Sequence, residues 1–433
     1  MCRTSWNLFL VAVVLSAMIG VAQVRADEAY FRHDFDDRES YGHESGYHEE
    51  DDFEECFSRE CCSSCDCYQP RCCCQSDDQY WFRNDVLRWW TRGMSTPPLV
   101  SASPPGTDIL DAGVLGTPGA TILFGGDSSR LNDSRWGGRI QGGGWIDCSK
   151  QIALEGDWLD LRDLTEIFRA ETDGSDIISR PFMNAVTGLS DAELVSFPDV
   201  LRGRVTVSAA NDFQTGGLRL RWNLGCEDRG CGNVLRWHLL TGYRFARLTE
   251  SLNIREELES LDPNNPGTFD LHDRFGTRNT FHGGELGMVL QARQGRLDCE
   301  LLTRLAVGEV EQQVTISGET QTTVGAVIET LPGGLLAQRT NSGTYQRNQF
   351  SAIPEIGLTV GYRIGRGWSA NLGYSLIFWN RVVRAGDQID PMVDTRLIPP
   401  EDPPAPDATR PGFAFRDSVF WAQGVNFGLS YRW

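Results

Sequence analysis

Lysine is almost absent: Lys150 is the single lysine among the 40 Lys and Arg of this 433-residue chain, and arginine supplies the rest. Histidine (6) and methionine (6) are few, and no long apolar run follows the first 26 residues. That absence excludes a helical membrane protein, whose spans need about 20 mostly apolar residues in succession. A formal net charge of -19 lacks the positive excess that draws nucleic acid, which is not expected as a partner. No G-x-S-x-G elbow, Walker loop, H-E-x-x-H pair or dinucleotide fingerprint occurs. No enzymatic activity, cofactor or metal is therefore expected. His272 beside Asp273, with His282 nearby, reads as a loop contact because adjacency in sequence does not supply a catalytic geometry. His238 reads as structural.

What is present begins with an export signal. Arg3, an apolar stretch from Leu8 to Val21 and Val24-Arg25-Ala26 read as a secretory leader, expected over residues 1–26. Residues 27–79 make an acidic, cysteine-rich arm expected to be disordered: from Asp27 to Cys74, 15 Asp and Glu against 4 Arg give a net charge of -11. Cys56, Cys61, Cys62, Cys65, Cys67, Cys72, Cys73 and Cys74 crowd into it. Their overlapping spacings lack the two separated C-x2-C pairs of a zinc site. In an oxidising compartment, a disulfide knot or crosslinks to other envelope proteins fit better. Cys226 and Cys231 are close enough for a local disulfide, Cys148 falls in a turn, and Cys299 reads as a small apolar residue on an outward face.

From residue 80 to 433 apolar and polar residues alternate with period two, the mark of strands with two different faces. Val425, Phe427, Leu429, Tyr431 and Trp433 form one oily face; Trp368, Ala370, Leu372, Tyr374, Leu376 and Phe378 form another. The runs reach 10 residues or more, the length of a tilted membrane strand, about 9–11 residues. Tight connections at 147–150, 225–233, 293–295 and 365–367 alternate with long polar stretches at 93–134, 162–212, 250–277, 317–346 and 385–411. Five long loops and four short turns connect ten strands. The expectation is an all-β protein: a transmembrane, antiparallel, up-and-down β-barrel of about ten strands, with short periplasmic turns and long extracellular loops in the outer membrane. Twelve is the alternative count, because Trp81 to Trp90 alternates poorly and 203–209 could hide a hairpin.

In such a barrel the oily faces meet outer-membrane lipid and aromatics collect at the interfaces. Trp222, Trp237, Tyr362, Trp368, Tyr431 and Trp433 would form the girdle beside the short turns, with Phe245, Phe378 and Trp421 opposite. The inward faces would carry Arg139, Arg219, Arg221, Arg236, Arg244, Arg296, Arg304 and Arg363. Facing them would be Glu155, Asp157, Glu285, Asp298, Glu300 and Glu355. The expected function is porin-like, the passive passage of small polar solutes through a lumen lined by these arginines and carboxylates; the alternative is that they close the lumen as a ladder of ion pairs. The closed alternative is a structural envelope barrel crosslinked through its N-terminal cysteines. The terminal strand, Val425 to Trp433, is the expected handle for the barrel-assembly machinery.

Several stretches carry a family resemblance: Arg88-Trp89-Trp90-Thr91-Arg92-Gly93, Pro97-Pro98-Leu99-Val100, Arg274-Phe275-Gly276-Thr277-Arg278-Asn279 and Phe281-His282-Gly283-Gly284-Glu285. Gly333-Gly334-Leu335-Leu336-Ala337-Gln338, Ile353-Pro354-Glu355, Arg384-Ala385-Gly386-Asp387-Gln388-Ile389-Asp390 and Phe420-Trp421-Ala422-Gln423-Gly424 add to it. From Tyr80 to Trp433 the chain resembles the seventh of the β-barrel porin families, exported proteins expected to form outer-membrane barrels. The resemblance implies a fold and a location. It supplies no catalytic or ligand residues, and the cysteine-rich arm lies outside it.

Overall fold

The computed structural model describes residues 78–126, 130–228, 233–399 and 405–433. The leader, residues 27–77 of the acidic arm with its eight cysteines, and Cys231 lie outside the described residues. In chain order the strands are β1 (Tyr80–Thr91), β2 (Val100–Ser103), β3 (Thr121–Phe124), β4 (Arg135–Trp145), β5 (Ile152–Thr172), β6 (Ile177–Asn184), β7 (Ser190–Ser196) and β8 (Leu201–Asp228). They continue as β9 (Asn233–Ser260), β10 (Thr268–Gln294), β11 (Leu297–Val324), β12 (Val327–Pro332), β13 (Gly343–Arg363), β14 (Trp368–Val383), β15 (Met392–Val393) and β16 (Asp417–Arg432).

Ten of these close a ring of antiparallel neighbours: β1, β4, β5, β8, β9, β10, β11, β13, β14, β16 and back to β1. The seam pairs Trp81 with Arg432 and Thr91 with Ala422, and the Trp433 carbonyl accepts the N–H groups of Gln79 and Tyr80. Closure leaves no open strand edge in the wall. The tight connection at Gly295 uses a left-handed backbone (φ 58°), which glycine adopts without a Cβ clash.

The strands are longer than the alternation suggested, and several stretches expected to be loops are wall. β8, β9 and β11 each run 28 residues, while a membrane crossing needs about 9–11. The stretch 250–277 is mostly the ends of β9 and β10; 317–346 holds the end of β11, the β12 hairpin and the start of β13; 203–209 belongs to β8. The cause is an inversion of the oily face. Near the short turns Leu218, Tyr243, Leu286 and Leu305 are exposed on the outside. Farther along the same strands the buried apolar residues are Val207, Leu252, Phe275 and Val314, on the opposite, inward phase, while Arg204, Arg255, Arg274 and Glu311 occupy the outer phase. The inversion falls in register around the wall, where Thr215 faces Ala246, Ala246 faces Phe281 and Phe281 faces Val310. Below that ring the barrel presents an oily exterior; above it the exterior is polar and the core apolar.

The connections at the loop rim also depart from expectation, because they fold back into the barrel. β2, β3, β6, β7 and β15 form a small second sheet. Its residues Val100, Phe124, Phe182 and Val195 share one buried cluster with the inward wall residues Val205, Ile254, Leu271 and Ile316.

Candidate functional site: the interior of the barrel

Alternation fixes which side chains enter the lumen, and register decides which of them meet. On the inward phase lie Glu155 and Asp157 of β5, Arg219 and Arg221 of β8, Arg244 of β9, Glu285 of β10, Arg304 of β11 and Glu355 of β13. Arg219 donates to Glu285 at 2.9 Å and to Glu155 at 3.1 Å, and also pairs with Asp157. Arg244 reaches Glu285 at 3.1 Å and Glu355 at 2.8 Å. Arg221 pairs with Glu155 at 2.8 Å. Arg304 pairs with Glu355 at 2.7 Å and crosses the lumen to Asp157 at 3.2 Å, joining β11 to β5 four places away around the ring. Four arginines thus meet four carboxylates, each side chain at most 8 % exposed. Buried charges persist only when paired in this way.

Space for the long side chains comes from glycines opposite them. Gly242 faces Arg219, and a Cβ there would lie 2.6 Å from the Arg219 Cβ; Gly287 faces Arg304, and its Cβ would lie 2.9 Å from the Arg304 Cγ. A second ionic group was not recognised from the sequence. Asp85 of β1, 1 % exposed, accepts from Arg83 at 2.8 Å and from Arg139 at 3.0 and 3.1 Å. Its signal was its phase with Leu87 and Trp89 in a strand whose outer face alternates poorly.

Above the ions the lumen is apolar. Leu87, Trp89, Phe213, Leu248, Phe281 and Trp379 pack there with exposures of 0–1 %. Higher still, the folded-in sheet is tied to the wall. Arg180 of β6 donates to Asp273 at 2.8 Å and pairs with Glu256, while Asp273 also accepts from the N–H groups of Leu336 and Ala337. Arg384, just after β14, binds both oxygens of Glu250 at 3.0 Å and the Gly93 carbonyl at 2.9 Å. Glu193 faces the same side as its cross-strand partner Arg180. Its carboxyl is pushed well above the ordinary value of 4.5, by burial first and then by the charge of Glu256.

Below the ions the lumen opens into a cavity of about 420 Å³ that reaches the short-turn rim. Arg236, Glu300 and Asp298 line it, together with His238. Arg363, at the end of β13, is half-buried and 3.9 Å from Asp298. Arg296 departs from expectation: it occupies the tight turn after β10 and is exposed, since the strand ends before its side chain can enter the lumen.

Among the aromatics, Trp368 lies 4.8 Å from Tyr431, Tyr431 lies 5.4 Å from Trp433, and Trp433 lies 5.7 Å from Tyr80, all near the short-turn rim. Trp222 and Tyr362 are exposed on the outer face, and Trp237 is half-buried. Phe245, at the inversion ring, stacks on Trp158 at 5.8 Å; Phe378 and Trp421 are half-buried and lie about ten residues along their strands from Trp368 and Tyr431, close to one membrane crossing. His272 and Asp273 occupy opposite faces of β10, His272 beside Asp270 at 2.9 Å and Asp273 inside, so they form no dyad. Cys226 lies near the end of β8, Cys148 in the turn before β5, and Cys299 is half-buried on the outer phase of β11.

No curated protein matches the sequence. Among solved structures, the chain is similar to the outer membrane protease OmpT of Escherichia coli, at 9 % identity over 82 % of this chain and 97 % of that one, with a TM-score of 0.38. It is also similar to a Pseudomonas aeruginosa FadL homologue (8 %, 84 % and 92 %, TM-score 0.22) and to the P. putida toluene transporter TodX (8 %, 84 % and 92 %, TM-score 0.20). At these TM-scores the likenesses carry no argument about activity. Residues 81–433 match the family model described as Putative beta barrel porin-7. That match covers all of the ten-stranded ring but Tyr80, and the chain belongs to this family of outer-membrane β-barrels.

Proposed function

We propose that the protein is a closed, non-enzymatic barrel of the outer membrane, with its short turns toward the periplasm and its protruding half outside. One observation carries the reading: Arg304 and Asp157 meet at 3.2 Å across the lumen, inside a mesh in which each charge has a partner. Apolar side chains and the folded-in sheet occupy the space above that mesh. A hydrated ion would have to displace all three layers. The role this supports is structural, a lipid-embedded anchor that presents a rigid polar tower and attaches the cysteine-rich arm to the envelope.

The second reading is passive passage of small polar solutes, favoured by the family's description as a porin. It requires the sheet and the mesh to move. Planar-bilayer recording on the purified full-length protein separates the two. The closed reading expects a silent bilayer from protein that is heat-modifiable on gels, and steady discrete steps would overturn it in favour of passage. Non-reducing gels of membranes test the anchoring role: disulfide-linked multimers that collapse with reductant are expected, and a monomer under both conditions removes the crosslink.

A further inference from the structure

The cavity beneath the ionic mesh has a composition that neither closure nor passage explains. Arg221 lines it, only 6 % exposed; one terminal nitrogen is committed to Glu155, while its Nε–H has no hydrogen-bond partner among the described residues. His238, 2 % exposed and also in the lining, has an unpartnered Nδ1. Buried polar atoms are almost always satisfied, so two of them on residues that line one cavity mark it as a polar site. The lining includes Arg83, Lys150, Arg221, Arg236 and Arg432 against Asp78, Asp298 and Glu300, an excess of two positive charges in a chain whose net charge is -19. The walls are not those of a plain anion trap. Trp145 and Trp237 line it, Trp81 lies under the Arg221 guanidinium, and Gln141 adds an amide that both donates and accepts, while the Gln291 and Asn371 amides already donate to Glu300 and Ser430. A volume of about 420 Å³ falls in the range of small-molecule sites, about 300–1,000 Å³.

We infer that this cavity binds a small polyhydroxylated anion, a sugar acid or sugar phosphate entering from the short-turn side. The acidic group sits at Arg221 and His238, the hydroxyls meet the amides, and the ring lies against tryptophan. Guanidinium recognises carboxylate and phosphate alike, so the acid group is left to experiment. The site is a blind end in a closed barrel and a vestibule in a conducting one, so it stands apart from the function proposed above.

Isothermal titration of the full-length protein in detergent tests it, with glucuronate, glucose 6-phosphate, glucose, acetate and inorganic phosphate as probes. Saturable binding of glucuronate or glucose 6-phosphate is expected, at least tenfold tighter than glucose, acetate or phosphate, and the tighter of the two identifies the acid group. Arg221→Gln should weaken it at least tenfold. Asn371→Ala, which leaves the mesh intact, should weaken it severalfold with unchanged heat-modifiability. Equal affinity for acetate and the sugar acid, absence of saturable heat, or full binding by both variants overturns the inference.

Discussion

Arg219 donates to Glu155, Asp157 and Glu285 from a side chain with no exposure. Arg219→Leu keeps much of the volume and removes the charge, leaving Arg221, Arg244 and Arg304 against Glu155, Asp157, Glu285 and Glu355. Removing one partner of a buried pair costs about 3–5 kcal/mol, because the other is left uncompensated. The lower end applies here, since each stranded carboxylate except Asp157 keeps a close arginine at 3.1 Å or less and Asp157 keeps Arg304 at 3.2 Å. With slopes of about 1–3 kcal/mol per molar urea, 3 kcal/mol lowers the unfolding midpoint by about 1 M or more. Glu285→Leu alone should cost a similar amount. The double variant restores three charges against three and should fall within about 1 kcal/mol of the native protein, because a buried pair replaced by apolar residues is often neutral. The assay is urea unfolding in detergent, read by tryptophan fluorescence and by gel mobility without boiling. A double variant whose cost equals the sum of the two single costs would refute the mesh as a coupled unit.

Three further outcomes follow from other parts of the interior. Gly428 faces Asp85, and a Cβ there would overlap the carboxylate, so Gly428→Ala should destabilise by about 1–3 kcal/mol, whereas Gly138→Ala, with nothing within 4 Å, should be near neutral in the same unfolding assay. Glu193 has a raised pKa in the folded protein, so the fold takes up a proton there more readily than the unfolded chain; stability falls as pH rises above the ordinary 4.5 toward the raised value. Limited proteolysis within 177–196 should accordingly slow between pH 8 and pH 5, and Glu193→Gln should flatten that profile; an unchanged profile contradicts the assignment. Arg384→Met leaves Glu250 buried without its arginine and frees the segment after β14 from the Gly93 carbonyl. Hydrogen exchange in 385–398 should rise at least tenfold, and exchange unaltered there would show that Arg384 does not hold the segment.

The fold was legible wherever lipid imposes a two-faced pattern. Leu218, Leu220, Trp222 and Leu224 of β8 and the last strand alternate cleanly because one side meets hydrocarbon and the other meets charge. The same rule placed Arg219, Arg244, Arg304, Glu155, Glu285 and Glu355 on the inward phase. Legibility failed above the inversion ring. From Arg247 onward β9 alternates as well as before, but Leu248, Leu252 and Ile254 carry the opposite parity to Trp237, Leu239 and Tyr243, and the change of parity reads as the end of a strand. The inward fold of the loops was hidden for a different reason. Val100, Phe124, Phe182 and Val195 are scattered apolar residues in Pro- and Gly-rich sequence, and only contact with the wall shows that they form one core with it. Whether the charges line a pore or close it was likewise a matter of register across the ring, set by Gly242 opposite Arg219 and Gly287 opposite Arg304.

The inversion divides the barrel into halves stabilised by different surroundings. The lower half turns Leu218, Tyr243, Leu286 and Leu305 outward and holds ion pairs inside; the upper half keeps Val207, Leu252, Phe275 and Val314 inside and carries charge on its exterior. Both share one continuous pleat, so phase is the single variable that keeps each face in its proper medium. Deleting Arg247, one residue past the ring, shifts β9 by one position above it and moves Leu248, Leu252, Ile254 and Leu258 to the outside while Thr249, Ser251, Asn253 and Arg255 turn inward. Four buried apolar side chains lost from the core, at about 1.5–3 kcal/mol each, sum to about 6–12 kcal/mol, comparable with the whole stability of a typical protein, about 5–15 kcal/mol. Deleting Asn264, in the connection between β9 and β10, changes no phase. Refolding into detergent, scored by the heat-modifiable fraction, should therefore separate the two: near-native yield for the Asn264 deletion and little or none for Arg247. Equal yields would mean that β9 absorbs the missing residue in a bulge at the ring, and that the inversion does not depend on an unbroken pleat.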